Sequence, residues 1–358
     1  MTRSAKDTRR LLARVGLLLT LCSCRASTAP GNVWEPSSPL DPEEPAQVAT
    51  LDAARVIEAR QSWLRERDEA RVAKRRALTV EAAKSPGWQF HESEHYFILS
   101  AADDRAFLED VKSRLEALRG RLVREFPPRT PLGGQNSPTL TVVRICGNRG
   151  SFHDYGGPGG STAYWSLQHQ ELVFFDDRQG GGRLETTWPA MQQVGVLAYL
   201  GVGLGEDTGP LAPWFTNGLA GVFGGMSPGA DGRLVLPEVD SRSEDLTARR
   251  FGRNFVPLEA LLDFGQSEFL GSNDWGAGGW QNNLQAWSFV LFLRTGAESS
   301  PDWEERWGGI LDRYFEAALS GMSGEEAHAI AFEGVQLAVL ESAWQLWVAE
   351  LTRGIEGG

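Results

Sequence analysis

The spacing of the apolar residues changes near residue 187, and this change limits the folds that the chain can adopt. Between residues 88 and 177, short segments alternate apolar with polar residues or are apolar throughout. From Thr187 onward, apolar residues recur every three or four positions. The first spacing is typical of strands and the second of helices in a core. The order predicts an α+β domain, with an N-terminal mixed β-sheet and helices followed by a mainly helical C-terminal half.

The segments before residue 187 predict a sheet interrupted by one helix. Residues 88–100 predict a short hairpin or two adjoining extended segments, and residues 139–146 predict a strand. Residues 171–177 predict another strand, whose hairpin partner is 161–168. Residues 103–126 predict an amphipathic helix. Its apolar stripe consists of Phe107, Val111, Leu115, Leu118 and Leu122.

Residues 1–24 predict an export signal. Basic residues precede a short apolar run, residues 15–21, which is too short to cross a bilayer as a mature helix. The sequence LCSC at the end of this segment is similar to the lipobox of bacterial lipoproteins, whose final cysteine carries the lipid. Cys24 is therefore the predicted lipidation site and membrane anchor, and the predicted location is the bacterial cell envelope. An ordinary signal peptide, with Cys22 and Cys24 removed or idle, is the alternative.

Four further segments follow this signal. Residues 25–50 are rich in proline, serine and acids and predict a disordered tether. Residues 51–86 are rich in alanine, arginine and glutamate and predict a charged, solvated helix. Residues 87–186 are assigned to an α+β sheet subdomain, and residues 187–353 to a helical subdomain that completes the same domain.

The charge of the chain limits its partners. The formal net charge is -12 at pH 7. Nucleic-acid phosphates are bound by basic surfaces, so nucleic acid is excluded as a partner. The predicted partners are the membrane, through Cys24, and an unidentified envelope protein, peptide or glycan.

Residues 91–95, HESEH, match the zinc-peptidase string HExxH. Zinc binding by this string needs a helix, because a spacing of four then places both imidazoles on one face. The surrounding residues are strand-like. On a strand, His91 and His95 lie about 13 Å apart at ~3.3 Å per residue, too far for two bonds of about 2 Å to one ion. We interpret the string as a polar strand edge or turn.

The order of segments resembles the gluzincin-like "peptidase MA-like" domain family of bacterial exported proteins. The shared segments are HYFILS, FLEDVKSRLEALRGRLVREF, LTVVRI, an AYW region and ELVFF, and the resemblance covers residues 88–351. It implies a zincin-like fold. In that family the next helix carries HExxH, and a later helix carries Trp-(Leu/Phe)-x-Glu-Gly-x-Ala, whose Glu is the third zinc ligand.

Both family motifs are degenerate in this chain. The segment PWFTNGLAGVF, residues 213–223, matches the later helix, but Asn217 stands at the position of the ligand Glu. A neutral amide is a poor zinc ligand beside a carboxylate. The HExxH position falls within residues 191–205, which contain no histidine and no acid in any register. The zinc expected for the family thus has no ligands here. The resemblance implies a pseudopeptidase whose cleft has become core.

The predicted function is that of a non-catalytic, lipid-anchored envelope protein that binds or scaffolds. No catalytic residue, metal ligand or cofactor is assigned. A pocket beside the former cleft, if it persists, is expected to be lined by Trp214, Asn217, Tyr199, His153 and His169.

Two other functions remain open. An active metal-dependent peptidase or hydrolase with a rearranged site would use His153, His169 or the acids near Glu206. A cell-surface glycan- or peptide-binding module would use exposed tryptophans, because an indole can stack on a sugar. The candidates are Trp165, Trp275 and Trp280.

Two further side chains are expected to have no role in chemistry. Cys146 closes an apolar strand, where a free cysteine is usually buried and inert. His328 is expected on the surface of a helix.

Overall fold

The computed structural model describes residues 44–128, 141–177, 187–204, 210–236, 255–271 and 278–356. The export signal, Cys22 and Cys24 lie outside the described residues, as do residues 25–43 of the predicted tether. The chain divides into two units, Met1–Arg55 and Val56–Gly358. In the first unit the described residues are helical. The sheet belongs to the second unit.

The second unit contains a five-stranded mixed sheet in the order β1-β2-β3-β5-β4. Its strands are β1 (Gln89–Glu92), β2 (Tyr96–Ser100), β3 (Thr141–Cys146), β4 (Ala163–Ser166) and β5 (Glu171–Phe175). The three central strands are parallel, and β1 and β4 are antiparallel to their neighbours at the two edges. Both predicted hairpins are therefore confirmed. A two-stranded sheet is formed by β6 (Ser227–Pro228) and β7 (Leu234–Val235).

The described residues include eleven α-helices, most of them after the sheet. They are α1 (Glu44–Lys84), α2 (Arg105–Glu125), α3 (Arg149–Asp154), α4 (Thr187–Ala198), α5 (Pro213–Gly224), α6 (Leu258–Asp263), α7 (Gln266–Leu270), α8 (Gly279–Ser299), α9 (Ile310–Leu319), α10 (Gly324–Ala331) and α11 (Leu337–Glu356). A π-helical turn, Tyr199–Gly203, continues α4, and a 3₁₀ helix, Glu305–Gly309, precedes α9. The predicted α+β class with a mainly helical C-terminal half is confirmed.

Helix α1 spans Glu44–Lys84, so its residues 44–50 overlap the end of the segment assigned to the tether. Pro45 lies in the first turn, where a missing N–H costs no helical hydrogen bond, so proline is compatible with a helix start. The helix ends before Gly87, whose φ of 81° is readily adopted only by glycine and which leads the chain into β1.

Helix α2 joins the sheet to the helical half. The Asp104 carboxylate caps its first turn by accepting from the amides of Ala106 and Phe107, at 2.9 and 3.1 Å. All five residues of the predicted apolar stripe are buried. The first three pack with the sheet, and Leu118 and Leu122 belong to the core of the helical half.

No helix in the described part of the chain is long and apolar enough to span a membrane.

Candidate functional site

The region that the resemblance assigns to the zinc site comprises α4, its π-helical turn and α5. Gln192 of α4 is fully buried, and its Nε2 donates to the carbonyl oxygens of Phe223 and Met226 at 2.7 and 3.0 Å. This side chain therefore ties α4 to the C-terminal end of α5. Its Oε1 has no hydrogen-bond partner among the described residues, but one amide oxygen does not make a zinc site.

Asn217, at the predicted third-ligand position, is half-buried on α5. Its Nδ2 donates to the carbonyl oxygen of Pro213, one turn earlier, at 2.9 Å. The amide is thus engaged with its own helix. A zinc ion needs several imidazole, thiolate or carboxylate ligands, and α4 and α5 carry none of these groups. The residues present do not fit zinc.

Helix α5 also packs closely against α8, because two glycines face that helix. A Cβ atom on Gly218 would lie 2.4 Å from Cγ2 of Val290 and 2.7 Å from the carbonyl oxygen of Ala286. A Cβ atom on Gly221 would lie 2.9 Å from Cβ of Trp287. These separations are shorter than van der Waals contact, so the two helices approach as closely as glycine allows.

Trp214 and Tyr199 belong to the core of the helical half. Trp214 is 0% exposed, and its Nε1 donates to Nε2 of His328 at 2.7 Å. The Tyr199 hydroxyl donates to the carbonyl oxygen of Phe126 at 2.7 Å, and burial raises the pKa of this phenol to about 12. Both side chains therefore fill the core, and the polar atom of each makes a hydrogen bond to another part of the protein.

The two histidines of the predicted pocket lie at the surface instead. His153 of α3 is exposed, and its Nδ1 is 2.8 Å from the carbonyl oxygen of Gly157. His169 is exposed in the β4–β5 turn, with its ring 5.3 Å from that of Tyr155. These contacts do not join either histidine to Trp214, and the grouping of the five residues in one pocket stays a prediction.

The string HESEH lies on β1 and the turn to β2, as predicted. Glu92 faces α1, where Arg71 and Arg75 donate to its carboxylate at 2.8 and 2.6 Å. His91 pairs with Ile98 of β2, and burial together with the charge of Lys112 lowers its pKa. Glu92 is thus a counterion for a neighbouring helix, which is a structural role.

His95 is held by α2. Its Nδ1 is 2.7 Å from Oε2 of Glu116, whose Oε1 accepts from the His95 amide at 2.9 Å and from the Ser93 hydroxyl at 2.5 Å. Together with Glu94, these two side chains form a group that is compact enough for an ion. However, both oxygens of Glu116 are engaged and the Glu94 side chain is 82% exposed. The two side chains that remain available are His95, through Nε2, and Glu94, through its carboxylate. A zinc site needs three or four protein ligands, so two are too few.

A buried ion pair joins the neighbouring strands β3 and β5, and the sequence patterns did not predict it. Arg144 of β3 is 5% exposed and donates to Glu171 of β5 through Nε at 2.7 Å and through Nη2 at 3.2 Å. Its Nη2 also donates to Glu81 of α1 at 2.9 Å, and the Tyr155 hydroxyl donates to Glu171 at 2.9 Å. The rings of Trp88 and Tyr155 lie over the guanidinium. One signal was present, because charged residues within the apolar segments TVVRIC and ELVFF need a partner.

The remaining predicted side chains have separate environments. Cys146 is free and buried, as predicted, and burial raises the pKa of its thiol to about 11, which disfavours the reactive thiolate. His328 is half-buried against Trp214, so its expected surface position was wrong. Trp280 is 52% exposed and Trp165 is half-buried against the sheet cluster. Trp275 and Glu206 lie outside the described residues.

Comparison with known proteins does not identify a family. No family model matches the chain, and no curated protein matches it significantly. Membership of the gluzincin-like family therefore stays a prediction based on the segments quoted above.

Proposed function

We propose that this chain is a non-catalytic envelope protein that binds or scaffolds a partner through a degenerate zinc-peptidase-like domain, held to the membrane by a lipid on Cys24. The observation that carries the proposal is the packing of α5. The helix that resembles the third-ligand helix contacts α8 through Gly218 and Gly221 and is tied to α4 by Gln192. The polar atoms there serve backbone groups rather than a substrate or metal.

Once zinc ligands are absent, the free energy of folding favours apolar and amide side chains at the former zinc site. An unpaired buried carboxylate or imidazole costs several kcal/mol at order-of-magnitude level, because burial removes its hydration without compensation. Apolar and amide side chains avoid that cost. Most residues in α4 and α5 are of this type, including Val196 and Leu219, both 0% exposed. A loss of catalysis and a gain of packing are thus two consequences of the same replacements.

The rival function is a metal-dependent hydrolase with a rearranged site. It would need several ligands to converge, and His153 and His169 each contact other groups at the surface. Among the described residues, the one group compact enough to hold an ion is the Glu94–His95–Glu116 group. The close packing of α5 therefore favours the non-catalytic proposal over the rearranged hydrolase.

Incubation of the purified chain with a diverse peptide mixture and excess zinc tests this choice. We expect no hydrolysis that a chelator abolishes, because neither ligands nor a general base converge at α4 and α5. The His153→Ala and His169→Ala variants serve as matched controls. Chelator-sensitive cleavage that either variant loses would establish the rearranged hydrolase and overturn the proposal.

A further inference from the structure

His328 and Trp214 form a hydrogen bond that depends on the protonation state of the histidine. The Trp214 Nε1 lies 2.7 Å from Nε2 of His328. An indole N–H can only donate, so Nε2 must be the acceptor. His328 is therefore a neutral imidazole that carries its proton on Nδ1.

The surroundings of His328 are mostly aromatic. Its ring lies 6.0 Å from that of Trp214 in a stacked arrangement and 5.2 Å from that of Tyr314 of α9. Burial lowers the pKa of His328, while the charge of Asp263 on α6 acts in the opposite direction. The phenol of Tyr314 accepts from the amide of Ala212, which directly precedes α5. The same aromatic group thus contacts α10, α9 and the start of α5.

Two of the other charged groups near α10 have partners of their own. The Arg313 guanidinium on α9 donates to the carbonyl oxygen of Ala331 at 3.1 and 2.9 Å. The Glu326 carboxylate accepts from the amide and hydroxyl of Ser323, which caps the helix. Glu325 is exposed in the first turn. Asp263 is thus the acid whose charge acts on His328.

We propose that the His328–Trp214 hydrogen bond is an acid-sensitive latch, and that protonation of His328 releases α10 from α5. A proton on Nε2 places two donors 2.7 Å apart and leaves the buried indole N–H without its acceptor. Trp214 is fully buried within α5 and cannot turn away. The eight-residue helix α10 is the shorter element and has exposed residues along one side, so it is the part that moves.

The direction of the pH dependence follows from linkage. The pKa of His328 is lower in the folded chain than the ordinary value of 6.5. The unfolded or released state therefore binds the proton first as the pH falls. The latch contributes its full stability above pH 6.5 and loses it as the pH falls from 6.5 toward the lower folded-state pKa.

Hydrogen exchange of the peptide that contains residues 324–331 tests the latch. After correction for the intrinsic effect of pH, we expect exchange to be faster by about tenfold at pH 5.5 than at pH 7.5, because the opening free energy falls with the lost bond. In the His328→Gln variant, an amide oxygen accepts from the indole without titrating, so exchange is expected to stay slow at both pH values.

Two controls make the result decisive. The exposed residue His153 has no contact with α10 in the described structure, so His153→Gln should keep the full pH response. The indole N–H resonance of Trp214, assigned by its loss in Trp214→Phe, should shift over the same pH range. Equal protection at both pH values in the unaltered chain, or an unchanged response in His328→Gln, would overturn the latch.

Discussion

Glu171→Gln is expected to lower the free energy of unfolding by about 3 kcal/mol, because it leaves the Arg144 charge in the interior without its main counterion. Arg144 and Glu171 have side chains that are 6% and 5% exposed, so neither charge can recover its hydration in the folded chain. Glu81 remains as a partner of Arg144, but its side chain is 45% exposed and sits on α1. Urea unfolding followed by circular dichroism measures the change.

An exposed ion pair provides the matched control. Arg233 and Asp231 lie 3.6 Å apart with side chains that are 78% and 60% exposed. Exposed pairs contribute little, so Asp231→Asn should change the unfolding free energy by less than about 1 kcal/mol. If Glu171→Gln were as mild as this control, Arg144 would not depend on Glu171, and the account of the buried pair would be wrong.

Gly218→Ala is the second substitution with a large expected effect, again about 3 kcal/mol of lost stability. The added methyl group would meet Val290 and the backbone carbonyl of Ala286 at distances of 2.4 and 2.7 Å. A side chain can rotate away, but a helical carbonyl cannot, so α5 and α8 must separate. That movement also strains the hydrogen bonds of Gln192 to the end of α5. Thermal and urea unfolding both report the loss.

Gly201→Ala is the control for this substitution. A Cβ atom at Gly201 would meet nothing within 4 Å, and the residue is also helical. Alanine is favoured over glycine in a helix by up to about 1 kcal/mol, so stability should be equal or higher. Equal effects of the two substitutions would show that α5 and α8 are not closely packed at Gly218.

The strands, hairpins and α2 could be predicted from the sequence because their signals are local. Apolar residues at every second position indicate the buried face of a strand, and apolar residues at a period of 3.6 indicate that of a helix. All five residues that were predicted to form the apolar stripe of α2 are buried. The helical composition of α1 is visible in the sequence, but its boundary with the proline-rich segment before it is not, because proline is tolerated in a first turn.

The contacts of the candidate site could not be predicted because they join distant parts of the chain. Arg144 and Glu171 are neighbours only after β3 and β5 pair, and Trp214 meets His328 only after α5 and α10 pack. His328 is followed in sequence by small and apolar residues, which do not report its partner. The absence of zinc ligands near Asn217, by contrast, is visible in the sequence itself.

Zinc content measures the central proposal most directly. The purified chain is incubated with excess zinc, separated from free metal and analysed by inductively coupled plasma mass spectrometry, with His95→Gln as a control for weak binding at the Glu94–His95–Glu116 group. We expect far less than one zinc per chain, because α4 and α5 present amides and apolar groups. One tightly held zinc per chain that persists in His95→Gln would contradict a degenerate, non-catalytic domain.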